Sequence, residues 1–202
     1  MIVDERIVTF INSLDTKNSE ILEKIESEAR AADVPIIRRE MQSFLKILLM
    51  LKKPARVLEV GAAVGFSALL MSEYVPEECR ITTIENYEKR IPIARENFRR
   101  AGKEEQIDLI EGDAAEVLKK LKGPYDFIFM DAAKGQYIHY LPDILRLLPP
   151  GGCLVSDNVM QDGDVIESRF AVERRNRTIH ARMREYLYEL KHNDELTTSI
   201  IP

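Results

Sequence analysis

Two residue pairs carry the most explicit chemistry in this sequence. Asp131 and Lys134 lie three apart in Asp131-Ala132-Ala133-Lys134, and Asp157 is followed directly by Asn158. Two carboxylates and a carboxamide form an all-oxygen set that suits a hard cation such as Mg²⁺, with waters or substrate oxygens completing an octahedron. Neither histidine nor cysteine joins them, which argues against zinc. A lysine beside such a set can take a proton from a hydroxyl held there, as general base. Each half also has a plain reading. Asp-Asn is a common turn pair, and a lone lysine is usually solvated. The metal reading rests on Asp131 and Asp157 ending neighbouring strands.

A second constellation lies upstream, in Arg56–Ser67, RVLEVGAAVGFS. Val57, Leu58 and Val60 read as a buried parallel strand, and Phe66–Tyr74 has helical apolar spacing. Gly61 and Gly65 lie between them. Strand, glycine turn and helix together aim bare backbone N–H groups at a ligand. The pattern is E-x-G-x-x-x-G rather than the dinucleotide G-x-G-x-x-G. Glu59 at the strand end would repel a diphosphate and attract a cationic ligand. The plain alternative is an ordinary βα turn whose glycines serve packing.

The elements needed to position these residues follow from the rest of the chain. Strands are expected at Arg56–Val60, Arg80–Glu85, Ile107–Glu111, Tyr125–Met130 and Cys153–Ser156. Helices are expected between them at Phe66–Tyr74, Glu88–Ala101, Ala115–Leu121 and Tyr137–Leu148. Alternating units of this length predict a parallel sheet with helices on both faces. Glu59, Glu85, Asp113, Asp131 and Asp157 then fall at or just beyond strand carboxyl ends, which share one rim in an open sheet. Glu85, 26 residues after Glu59, can accept hydrogen bonds from both hydroxyls of a ribose. Two helices within Asp4–Ala32 and a third near Arg38–Lys52 precede the first strand. Ile7, Val8, Phe10 and Ile11 give the first an apolar stripe.

Bulk properties narrow the class. The 202 residues fit one domain, 1–202, divided into a helical cap (1–53) and an α/β core (54–202). Hydrophobic residues make up 45% and charged residues 31%, ordinary for a globular protein. No apolar run approaches the ~20 residues of a membrane span. The start, MIVDERIVTF, lacks the basic onset and apolar core of a signal peptide, so a cytoplasmic location is expected. Cys79 and Cys153 sit beside strand starts without metal spacing and read as buried free thiols. The net charge of −5 speaks against a nucleic-acid coat protein but permits a local basic face. Arg169–Lys191 supplies one, with seven basic residues against three acidic. It reads either as a solvated helix with pairs such as Glu173–Arg177 or as a phosphate-contacting face.

The glycine turn resembles motif I of S-adenosylmethionine-dependent methyltransferases. Beyond that, VLEVGAAVGFS, Ile84-Glu85, Gly112-Asp113-Ala114, Asp131–Lys134 and Asp157-Asn158 resemble the cation-dependent O-methyltransferase family of catechol and caffeoyl-CoA type. The resemblance covers essentially the whole chain. It implies a Rossmann-like class I methyltransferase fold, α/β, with a mostly parallel sheet and an N-terminal helical cap. It implies S-adenosylmethionine contacts from Glu59, Gly61, Gly65, Ser67, Glu85, Asp113, Ala114 and Asp131, with Glu59 facing the amino-acid end and Asp113 near the adenine. It implies Mg²⁺, or another hard divalent cation, on Asp131, Asp157 and Asn158, and catalysis by Lys134 with Asp131. The family usually carries a second Asp where this chain has Ala133. It also continues past the position of Thr197–Pro202 into an antiparallel strand not represented here. A homodimer is expected, with the cap helices as interface material.

Within the family, the overall pattern is similar to bacterial members that convert 5-hydroxyuridine at the tRNA wobble position to 5-methoxyuridine. Plant-type members carry an aromatic-rich loop after the Asp-Asn pair, whereas Val159–Asp164 has no aromatic residue. The resemblance therefore implies a tRNA anticodon loop as partner, held by Arg38, Arg39, Arg174, Arg175 and Arg177. Small catechols or hydroxycinnamoyl esters are the alternative acceptors, and a cofactor-binding module without catalysis is a third reading.

Overall fold

The structure, a computed structural model, describes residues 3–201. Three helices open the chain: α1 (Glu5–Ser13), α2 (Glu20–Ala31) and α3 (Arg39–Lys52). Asp4 caps α1 by accepting a hydrogen bond from the Arg6 amide at 2.8 Å. α3 ends at Lys53, whose left-handed backbone (φ 48°) precedes Pro54, a residue that cannot continue a helix. Then β and α alternate: β1 (Arg56–Val60), α4 (Phe66–Ser72), β2 (Arg80–Glu85), α5 (Ile91–Arg100), β3 (Ile107–Glu111), α6 (Ala114–Lys120), β4 (Phe127–Met130), α7 (Tyr137–Leu147) and β5 (Cys153–Ser156). Short 3₁₀ turns at Gln161–Ile166 and Arg174–Asn176 lead into α8 (Arg177–His192).

The five strands pair in the order β3-β2-β1-β4-β5, and every pairing is parallel. The order reverses beside β1, so β1 and β4 flank the switch point where open α/β sheets take their ligands. Among the described residues the sheet is wholly parallel, with no antiparallel member. Side chains alternate across it. Val57, Ile81, Phe127 and Phe129 face a core shared with the cap and α4, while Leu58, Val60, Ile128 and Met130 face α7 and α8. α2 and α3 bury Leu22, Ile25, Leu45 and Leu49 against Phe66, Leu69 and Leu70 of α4, which fixes the cap over the glycine turn.

Several boundaries differ from the sequence reading for local reasons. β4 begins at Phe127 rather than Tyr125, because Asp126 turns its carboxylate to the Ala55 and Arg56 amides, each at 3.0 Å. α5 begins at Ile91 rather than Glu88, because Glu85 takes the Asn86 and Tyr87 amides and the chain turns before the helix. The apolar stripe of α1 does not become core. Ile7, Phe10, Ile11 and Leu14 are all at least half exposed, since α1 packs chiefly along α3. Cys79 is buried but Cys153 only half-buried, and both thiols are free. Among the described residues no helix is long and apolar enough to cross a membrane.

Candidate active site

The strand tips open onto a cavity of about 770 Å³, within the range of small-molecule sites. Gly61–Val64 and Ser67 form one wall, Glu85 and Asn86 one end, and Asp131–Lys134 the floor. The mouth is framed by Ile36–Arg38 from the cap, Gln161, Asp162 and Asp164 after β5, and Asn176 and Ile179 at the start of α8.

Gly61 explains how the wall meets the floor. Its φ is 106°, and a Cβ there would lie 2.2 Å from the Asp131 carbonyl oxygen. Only a residue without a side chain lets the turn after β1 touch the tip of β4. Gly65, at φ 81°, starts α4, and a Cβ would strike the Phe98 ring at 2.5 Å. Glu85 ties this turn to β2. Its Oε2 accepts from the Ala63 amide at 2.7 Å, while Oε1 accepts from the Asn86 and Tyr87 amides at 2.9 and 2.8 Å.

On the floor, Lys134 Nζ donates to Asp131 Oδ1 at 2.7 Å and to the Tyr137 hydroxyl at 3.0 Å. The Tyr137 hydroxyl donates in turn to the Met130 carbonyl at 2.8 Å. Burial, with Asp131 and Asp157 nearby, holds the Tyr137 phenol well above its usual range, so it remains a neutral anchor. Burial also raises the Asp157 carboxyl, and the Asp131 charge adds to it. Lys134, the Asn158 amide and Arg38 only partly oppose this. Asp157 Oδ1 accepts from the Asn158 amide at 2.8 Å, and Asn158 takes a left-handed φ of 55°. Two carboxylates held close at a half-buried rim, beside a carboxamide, are a donor set that a hard cation would relieve. Among the described residues no group of three His, Cys, Asp or Glu is placed to hold a metal ion, so any metal here depends on the Asn158 side-chain oxygen and on non-protein oxygens.

A family model described as O-methyltransferase matches residues 12–202. The chain belongs to the O-methyltransferase family. A catechol O-methyltransferase of Niastella koreensis is 37% identical over 128 residues, covering 61% of this chain and 58% of that protein. Caffeoyl-CoA O-methyltransferase 2 of Populus trichocarpa is 35% identical over 133 residues, covering 61% and 52%. The matched part thus spans little more than half the length of these curated relatives. The S-adenosylhomocysteine-bound methyltransferase PaMTH1 of Podospora anserina superposes with a TM-score of 0.87 at 26% identity, covering 98% of this chain and 90% of that one. The sheet and its flanking helices are therefore those of a Rossmann-like methyltransferase fold.

Against this family frame, the cavity lining takes in Gly61, Ser67, Glu85, Ala114, Asp131, Lys134, Asp157, Asn158 and Arg38. Other expected residues lie outside it. Glu59 is fully buried behind the wall, because the pleat of β1 turns it beneath α4. Its Oε2 accepts from the Thr83 hydroxyl, and Oε1 has no hydrogen-bond partner. Burial pushes this carboxyl up to about 7, although the Ser67 and Thr83 hydroxyls favour its charged form. Glu59 thus lies behind the wall, outside the cavity lining. Gly65 packs on Phe98, and Asp113 caps α6 through the Ala115 amide at 2.9 Å. Arg39 turns toward α2, 3.4 Å from Glu23 and 3.7 Å from Glu26. Arg174 and Arg175 are exposed beside the mouth, and Arg175 pairs with Glu173 at 2.7 Å. The expected Glu173–Arg177 helical pair is absent, since α8 starts only at Arg177. Arg177 instead donates to the Val172 carbonyl at 3.2 Å.

Sequence reasoning missed Tyr137, Asp162 and Asn176. Arg38 meets Asp162 at 2.7 Å, an exposed bridge between the cap and the loop after β5. The signal for Tyr137 was only its helical spacing from Lys134. None existed for Asp162, which lies 124 positions from its partner.

Proposed function

We propose that this chain is an S-adenosylmethionine-dependent O-methyltransferase, and that its acceptor is 5-hydroxyuridine at the tRNA wobble position. One observation carries the reading. Lys134 Nζ, held by Asp131 and Tyr137, shares a cavity with the Gly61–Ser67 turn. The turn offers a donor its backbone amides and the Ser67 hydroxyl, and Glu85 stands where ribose hydroxyls would meet it. Asp131, Asp157 and the Asn158 side-chain oxygen would hold a divalent cation, which would supply the Lewis acidity that makes the acceptor hydroxyl easier to deprotonate. Lys134 Nζ, once it has released one of its own protons to solvent, takes the hydroxyl proton and holds it beside Asp131 and Tyr137. The oxygen then bonds the sulfonium methyl as the S–CH₃ bond breaks, leaving S-adenosylhomocysteine. The chain's principal contribution is to hold both reactants in line.

An RNA acceptor is supported by the lack of an aromatic in Val159–Asp164 and by the exposed Arg169, Arg174 and Arg175 beyond it. In 5-hydroxyuridine O4 and O5 are adjacent, as in a catechol. The second reading, a small catechol or caffeoyl ester, is favoured by the names of the curated relatives. The test offers labelled S-adenosylmethionine and Mg²⁺ with 5-hydroxyuridine-containing tRNA, catechol or caffeoyl-CoA, each with and without a chelator. Chelator-sensitive labelling of tRNA supports the proposal. Labelling of catechol or caffeoyl-CoA alone moves it to the second reading, and labelling of none points to a binding module without catalysis.

A further inference from the structure

The segment Glu167–Arg177, between β5 and α8, is not used by the chemistry above, yet it is unlike any other surface of the molecule. Phe170 is 86% exposed, more than any other large apolar side chain among the described residues. It is not exposed through slackness. Val172, two residues on, is buried. Arg177 donates to the carbonyls of Val172 at 3.2 Å and Phe170 at 3.4 Å. The buried His180 pairs its Nε2 with the Glu167 carbonyl at 3.1 Å. The loop is pinned at both ends and presents one ring. Arg177 lies 6.0 Å from the centre of that ring, and across Glu167–Arg177 four arginines stand against two glutamates. Asn176 and Ile179, on the same turn of chain, line the cavity mouth.

We infer that Phe170, in a segment that also carries the exposed Arg169, Arg174 and Arg175, is a stacking platform for an unpaired base next to the methylated nucleoside. The inference rests on the RNA reading above. A flat ring takes the face of any base, while neighbouring guanidiniums meet the phosphates on either side. Within a duplex the base faces are already stacked, so the ligand is single-stranded or looped RNA. The exposed stripe of α1 differs in kind, because α1 carries a single basic residue, Arg6, beside Phe10 and Glu5. Phe170 touches no reacting atom. It sets where the RNA lies, so its loss acts on RNA affinity and not on the transfer step.

The test measures binding and transfer separately for the wild type, Phe170→Ala, Phe170→Leu and Phe170→Trp. Binding is read by fluorescence anisotropy with a labelled anticodon stem-loop. Transfer is read with the same RNA and with free 5-hydroxyuridine. Phe170→Ala and Phe170→Leu are expected to weaken RNA binding and raise the RNA KM by roughly tenfold. Phe170→Trp restores both, and the KM for S-adenosylmethionine and the rate on the free nucleoside do not change. RNA binding that is absent, that is equal in wild type and Phe170→Ala, or that Leu restores as well as Trp overturns the platform. If RNA binding depends on Phe170 but no RNA is methylated, the platform stands and the acceptor assignment falls.

Discussion

The donor wall and the acceptor mouth of this cavity are built by opposite means. Around Gly61–Ser67 the chain is packed on the side away from the cavity: Ala62, Val64, Phe66 and Ser67 are all buried, and backbone meets backbone at the β4 tip. Around Asn158–Asp164 the chain is mostly half-buried, with Asn158 and Asp162 exposed. Asn158, Gln161 and Asp162 adopt left-handed backbone without being glycine, and a solvent-facing ion pair joins the loop to the cap. Residues in that backbone region persist only when their surroundings hold them there. The contrast teaches that the donor position follows from the sheet itself. The mouth, by contrast, is framed by the cap and by the segments after β5 rather than by strand tips.

The largest effect should come from disturbing the wall. Gly61→Ala places a Cβ inside the Asp131 carbonyl, and we expect S-adenosylmethionine affinity to fall by about 100-fold or more, with a lower melting temperature. Titration calorimetry and thermal melting measure both. Near-normal binding would show the wall to be as yielding as the mouth. Next is the floor. Lys134→Met should lower kcat by about 10²- to 10⁴-fold, the usual worth of a positioned base, with donor affinity and melting temperature preserved. A variant that loses donor binding instead would mark Lys134 as part of the wall.

Third is the support behind the wall. The Glu59 carboxyl, pushed by burial from 4.5 up to about 7, binds its proton more tightly in the folded chain than in the unfolded one. Its neutral form therefore stabilises fully below about pH 4.5, and that contribution is lost as pH rises through 7. Glu59→Gln should make the donor-free protein more stable at pH 8.5 by up to about 3 kcal/mol, converted at 1.36 kcal/mol per unit, with little change at pH 4.5. Urea unfolding at the two pH values decides it, and a variant less stable at pH 8.5 would contradict the assignment. The smallest effect belongs to the mouth. Arg38→Ala, or Asp162→Ala, breaks a pair whose side chains are 56% and 69% exposed, so stability should move by no more than about 0.5 kcal/mol. A larger shift in melting temperature would mean that the mouth is clamped as firmly as the wall.

The same contrast explains what could be read from the amino-acid order. Strand tips follow from short apolar runs ended by acids, so Glu85, Asp131 and Asp157 fall on one rim simply because parallel strands point one way. Gly61 and Gly65 announced a tight turn, which the φ values bear out. Glu59 falls outside the cavity lining because only the pleat decides which face a strand residue takes, and β1 turns it inward. Glu173 and Arg177 have ideal helical spacing, but the helix starts after Asn176. Arg39 and Asp162 found partners through tertiary packing, which no local pattern encodes. The apolar stripe of α1 was visible, but the absence of a neighbour to cover it was not.

The contact between Gly61 and the Asp131 carbonyl has one last implication. Because main chain meets main chain there, the half of the cavity that would seat the sulfonium and the half that would seat the cation cannot drift apart by side-chain rearrangement. Their separation is locked into the hydrogen-bond register of β1 on β4, where Val60 lies opposite Met130. Anyone re-engineering this scaffold for a new acceptor therefore inherits a fixed ruler and has freedom only in how the outer loops close over it.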